Sequence, residues 1–122
     1  MRPVRVLIPA FCAVLAAAFI TGCQSPWVQA SVINHSNAPV NLVEVDYPGG
    51  SFGVQTIAPH STFRYRFHIL LDDQVTISFT DATGHNHKAK GPGLRQGEEG
   101  TLRIEIAPGN TVSWTSSLTL RK

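Results

Sequence analysis

Hydrophobic positions follow two regimes along the chain. From Val6 to Ile20 they form an almost unbroken run, rich in Ala, Leu, Val, Ile and Phe and interrupted only by Pro9. From Trp27 onward they alternate with polar positions at period two, in short segments separated by turn residues. Alternation of that kind predicts half-buried β-strands, and no stretch after Trp27 sustains a helical period.

The segments can be placed one by one. Trp27–Asn34 is the first predicted strand, closed by the turn-forming cluster Asn34-His35-Ser36-Asn37. Val40–Asp46 is the second, rich in β-branched residues, and Tyr47-Pro48-Gly49-Gly50 then reverses the chain into Ser51–Ile57. Gly53 lies inside that third strand, where a glycine suggests a bulge or a close backbone approach. In Phe63–Ile69, Phe63, Tyr65, Phe67 and Ile69 share one face, while Arg64, Arg66 and His68 share the other. Gln74–Thr80 repeats the pattern with Val75, Ile77 and Phe79 inside. Asp81-Ala82-Thr83-Gly84 predicts a type I turn ending on a left-handed glycine, returning through His85 to Lys90. Thr101–Ala107 buries Leu102, Ile104 and Ile106, and after Pro108-Gly109-Asn110 a last short strand begins at Val112 and Trp114. Thr115–Lys122 is either an added edge strand or a frayed tail.

About seven or eight strands in a domain of this size predict an all-β fold, a two-layer antiparallel β-sandwich of immunoglobulin-like dimensions. The cysteine and tryptophan spacing of true immunoglobulin domains is absent, so the expectation concerns architecture, and a small closed β-barrel is the alternative.

The N-terminal run changes this picture. Arg2 and Arg5 precede the apolar stretch in the charged-then-apolar layout of a secretory signal, and the stretch is short for a membrane span. It ends in Ile20-Thr21-Gly22-Cys23. This tetrapeptide resembles the lipobox of bacterial lipoproteins, an aliphatic residue and two small residues before a cysteine, with Ile20 where leucine is commonest. The resemblance implies that residues 1–22 are a signal peptide, that signal peptidase II cuts between Gly22 and Cys23, and that the Cys23 thiol carries a diacylglyceryl group. Two or three acyl chains suffice for stable anchoring. Residues 23–26 would then be a lipidated tether and 27–122 the β domain. Gln24, where retention in the inner membrane uses aspartate, favours the outer membrane facing the periplasm. Expected partners are the membrane itself and an envelope protein or cell-wall component.

Removing the leader also removes the charge surplus. The full chain carries a formal +2, but without Arg2 and Arg5 eight basic residues face eight acidic ones. A neutral domain with no basic stripe gives no reason to expect nucleic acid. Cys12 leaves with the leader and Cys23 is the lipidation site, so no disulfide framework is available.

Candidate chemistry is sparse. His85-Asn86-His87 places two imidazoles on one face of a strand, a spacing that chelates Cu or Zn if His68 or His60 supplies a third ligand. Two ligands alone do not make a site, and no cysteine or methionine after Cys23 offers a soft ligand. Asp72-Asp73 and Glu98-Glu99 lack EF-hand spacing, and there is no Gly-x-Ser-x-Gly elbow. The expectation is a non-enzymatic binding or structural module with no cofactor beyond its covalent lipid, and the alternative is a periplasmic Cu- or Zn-binding module using His85 and His87. Two segments are candidate contact loops: Tyr47–Phe52, whose aromatic residues are more naturally core, and Gly91–Gly100, whose four glycines after Lys90 read as a long crossover.

Overall fold

Each alternating segment becomes a strand in the computed structural model, which describes residues 26–120; Cys23, the leader and the start of the tether lie outside them. The strands are β1 (Val28–Asn34), β2 (Val40–Tyr47), β3 (Gly50–Ile57), β4 (Thr62–Phe67), β5 (Asp73–Thr80), β6 (Asn86–Leu94), β7 (Glu98–Ile106) and β8 (Val112–Leu120). They form two four-stranded sheets, ordered β4-β1-β7-β8 and β3-β2-β5-β6. The fold is a two-layer β-sandwich, and the sheets do not close into a barrel.

The pairing is antiparallel except at the centre of the first sheet, where β1 runs parallel to β7 with Val28 opposite Gly100 and Asn34 opposite Ile106. The two-layer sandwich expected from the sequence is present, and this one pair departs from its otherwise antiparallel pairing. Parallel neighbours need a crossover between them. Here that crossover is the entire second sheet together with β4, so β1 and β7 close the sandwich from its two chain ends.

Inward positions of both sheets make one core, with Val28, Ala30, Val32, Val45, Val75, Ile77, Phe79, Leu94, Leu102, Ile104 and Ile106 almost wholly removed from water. Each aliphatic or aromatic side chain buried there contributes roughly 1.5–3 kcal/mol. The alternation of β5 and β7 is reproduced residue for residue. On β4 it holds at Phe67, while Phe63 is half-buried and Tyr65 exposed. That strand is a sheet edge, and Tyr65 leans out to stack on Phe52 with ring centroids 4.5 Å apart.

Gly91–Gly100 is not a loop. β6 continues through Leu94 and β7 starts at Glu98, leaving Arg95-Gln96-Gly97 as the connection. The segment does cross between sheets, as read from the sequence, but in three residues. Of its glycines, Gly91 and Gly100 are closely packed inside strands, whereas Gly97 lies in the connection. A Cβ on Gly91 would stand 2.6 Å from the Trp114 ring, so the indole of β8 lies flat against the bare backbone of β6 and joins the two sheets along that flank.

Gly53 also marks a close approach: a Cβ there would stand 2.6 Å from the Val43 carbonyl oxygen. The bulge itself is on the neighbouring strand, where the β2–β5 register shifts between Asn41 and Glu44 and Leu42 takes a φ of 49°. Thr115–Leu120 extends β8 as an edge strand, settling the two readings in favour of the strand.

Candidate functional site

The strands give the sandwich two chemically different ends. β1 starts at one end and finishes at the other. The near end, where the chain enters, gathers Pro26-Trp27, the Pro48-Gly49 turn, the β4–β5 crossover and the Arg95–Gly97 connection. Leu70 N–H donates to the Pro48 carbonyl at 3.3 Å, Gly100 N–H to the Trp27 carbonyl at 3.1 Å, and Gln96 N–H to an Asp72 carboxylate oxygen at 2.8 Å. The far end gathers Asn34–Pro39, Ala58–Ser61, Asp81–His85 and Ala107–Thr111.

Two polar knots hold the far end. Asn34 is fully buried at the close of β1, and its amide nitrogen donates to the carbonyls of Ala38 (2.8 Å), Ile57 (3.1 Å) and Ala58 (3.3 Å). Its Oδ1 accepts from the Ser36 N–H at 3.0 Å and the Ser36 hydroxyl at 2.7 Å. One side chain thereby ties the β1–β2 and β3–β4 connections together.

The second knot is Asp81. Its Oδ1 accepts from the Thr83 N–H (2.9 Å), the Thr83 hydroxyl (2.6 Å) and the His85 N–H (3.0 Å). Its Oδ2 accepts from His87 Nε2 (2.8 Å) and the Asn110 amide (3.3 Å). Hydrogen bonds from Thr83, His87 and His85 hold this carboxyl well below the usual carboxylate range. The predicted turn is present, with Gly84 at φ 90° and its N–H donating to the Asp81 carbonyl at 3.0 Å.

The candidate metal ligands are accounted for by these contacts. Because the Thr83 hydroxyl donates to Asp81, His85 Nδ1, 2.8 Å away, is the donor to the Thr83 oxygen. His87 donates to Asp81 and stacks on Phe79, with centroids 5.2 Å apart. His60 is at the same end but pairs with Asn37 at 2.8 Å. His68 is at the opposite end, hydrogen-bonded to the Pro26 carbonyl. Of the two expected third ligands, His68 is thus at the opposite end from the pair and His60 is bonded to Asn37, and among the described residues no three His, Cys, Asp or Glu side chains gather where they could hold a metal ion.

Tyr47–Phe52 resolves as core and turn. Phe52 is buried, and Tyr47 stacks on Phe67 at 4.1 Å, which leaves Pro48-Gly49 as a two-residue hairpin turn with Gly49 at φ 96°. Burial and then neighbouring Tyr65 raise the Tyr47 phenol above its ordinary value.

The near end carries a cluster that the sequence pattern left undivided. Trp27 lies opposite His68 across the β1–β4 pair, with ring centroids 3.6 Å apart, and the Arg66 guanidinium sits 4.6 Å over the indole. The indole is contacted by both side chains and still 41% exposed. Alternation over Phe63–Ile69 puts Arg66 and His68 on the outer face; β4 itself ends at Phe67, and the meeting with Trp27 depends on strand register.

Comparison with known proteins agrees with the architecture. The fold is similar to that in an NMR structure of a protein from Eubacterium rectale, with a TM-score of 0.54 over 77% of this chain and 93% of that one, at 18% identity. At that identity the likeness concerns the fold. No protein-family profile matches the chain, and no curated protein matches it significantly.

Proposed function

We propose that the chain is a lipid-anchored protein of the bacterial cell envelope, whose β-sandwich is a non-enzymatic module for contacts with an envelope protein or the cell wall. The observation that carries this reading is the spacing between Cys23 of the Ile20-Thr21-Gly22-Cys23 motif and the first strand, which begins at Val28. The anchor and the folded domain are separated by only a few residues. Such a spacing suits a domain that rides close to a membrane surface. Gln24, in the place where an aspartate would favour retention in the inner membrane, favours the outer membrane, facing the periplasm.

The polar clusters support a scaffold role. Asn34 and Asp81 direct their hydrogen bonds to turns of their own fold, and the His85-Asn86-His87 pair belongs to one of those turns. The test is metabolic labelling with a fatty acid. The full chain incorporates label and Cys23→Ser does not; label retained in Cys23→Ser would remove the lipid anchor from the account.

A further inference from the structure

Large apolar side chains left exposed on the sandwich are unevenly distributed. Trp27, Leu70, Leu71 and Leu120 are 41% to 58% exposed, and all four are at the near end. The other exposed large hydrophobics among the described residues are Leu42, near the far-end start of the interior strand β2, and Tyr65, on the edge strand β4; none is in a far-end connection.

We propose that the near end is a bilayer-contacting surface, in which Trp27, Leu70 and Leu71 enter the interfacial region of the membrane and hold the sandwich end-on. This inference rests on the proposed anchor at Cys23. The occupant is identified by where the chain enters. Pro26 adjoins the cluster, and three residues from Cys23 span at most about 10 Å. A lipid on Cys23 therefore keeps this end within side-chain reach of the headgroups. An indole presented at a domain's edge beside leucines suits the interface between acyl chains and water. The indole is also prepositioned, since the His68 ring lies tilted against it and the Arg66 guanidinium lies over it. Little side-chain freedom remains to be lost on contact.

Charge at this end indicates what kind of bilayer contact it is. Among the described residues Arg66 and Arg95 face Asp72, Asp73, Glu98 and Glu99, and Arg121 and Lys122 follow Leu120 in the sequence, so this end carries no basic surplus. Attraction to anionic lipid is therefore not the driving force, and apolar insertion into a neutral bilayer is.

The full chain is reconstituted into phosphatidylcholine vesicles with brominated acyl chains, and tryptophan emission is read. The expected result is a loss of emission relative to unbrominated vesicles, absent in Trp27→Phe and reduced in Leu71→Ser. Trp114, lying against Gly91, reports that each variant is folded. Vesicle-bound protein with no quenching attributable to Trp27 would overturn the proposal and leave the end open to a protein partner or a second copy. Fatty-acid labelling of the same preparation separates the two ideas. Label without quenching removes the contact and keeps the anchor, whereas quenching without label keeps the contact and removes the lipid from Cys23.

Discussion

Asn34 shows how much of this fold rests on a single polar side chain. Its five hydrogen bonds join segments more than twenty residues apart, inside a site closed to water. Replacing it with a leucine of similar size removes every donor and acceptor and strands carbonyls that have little access to solvent. Asn34→Leu should lower stability by about 2–3 kcal/mol in denaturant unfolding, since each buried group left unsatisfied costs roughly 1–3 kcal/mol. Asp81 acts in the same way through charge. Its carboxyl is held below the ordinary value of 3.8, so the folded state favours the ionised form. The resulting stabilisation is fully present above that value and is lost as the pH falls below it. The stability difference between the native chain and Asp81→Asn should therefore be largest near about pH 7 and shrink by about pH 3 in urea titrations. Neither role is legible in the sequence. Asn34 reads as a turn residue, because its partners at Ile57 and Ala58 meet it only once two connections fold over the same end.

At the scale of strands, period-two alternation located the elements wherever one face is buried and the other wet. β5 and β7 are the clearest cases, and Asp81-Ala82-Thr83-Gly84 carried enough turn chemistry to place the hairpin after β5. Alternation has no signal where a strand's packing partner is a bare backbone. Gly91 and Gly93 look like loop residues because nothing local reveals that an indole from β8 lies over Gly91. The parallel β1–β7 pair is hidden for a related reason: its partners are separated by most of the domain. The Gly91 contact is directly testable. Gly91→Ala inserts a methyl group into space held by Trp114, and the expected cost is about 1–3 kcal/mol with a red shift of tryptophan emission as the indole is displaced. Unchanged stability and emission would show that the indole has room to move. In that case the flank would not be held by this contact.

At the scale of the molecule, the sandwich is polarised along its strands. The far end is tied by buried and hydrogen-bonded polar groups, and the near end presents tryptophan and leucine beside the point where the chain enters. The sequence motif at Cys23 and this apolar end were each visible from a different source. The lipobox resemblance is a local pattern, whereas gathering Trp27, Leu70, Leu71 and Leu120 at one end needs the complete strand order. Together they motivate the proposal of a domain anchored at its base, which would direct its polar end away from the bilayer. Among the described residues no helix is long and apolar enough to cross a membrane; the proposed attachment is through the lipid on Cys23. The most direct measurement is the intact mass of the protein extracted from membranes of cells expressing the full chain. The account predicts a polypeptide beginning at Cys23 whose mass exceeds that of residues 23–122 by a diacylglyceryl group, with or without a further acyl chain. A polypeptide beginning elsewhere, or one of unmodified mass, would contradict it.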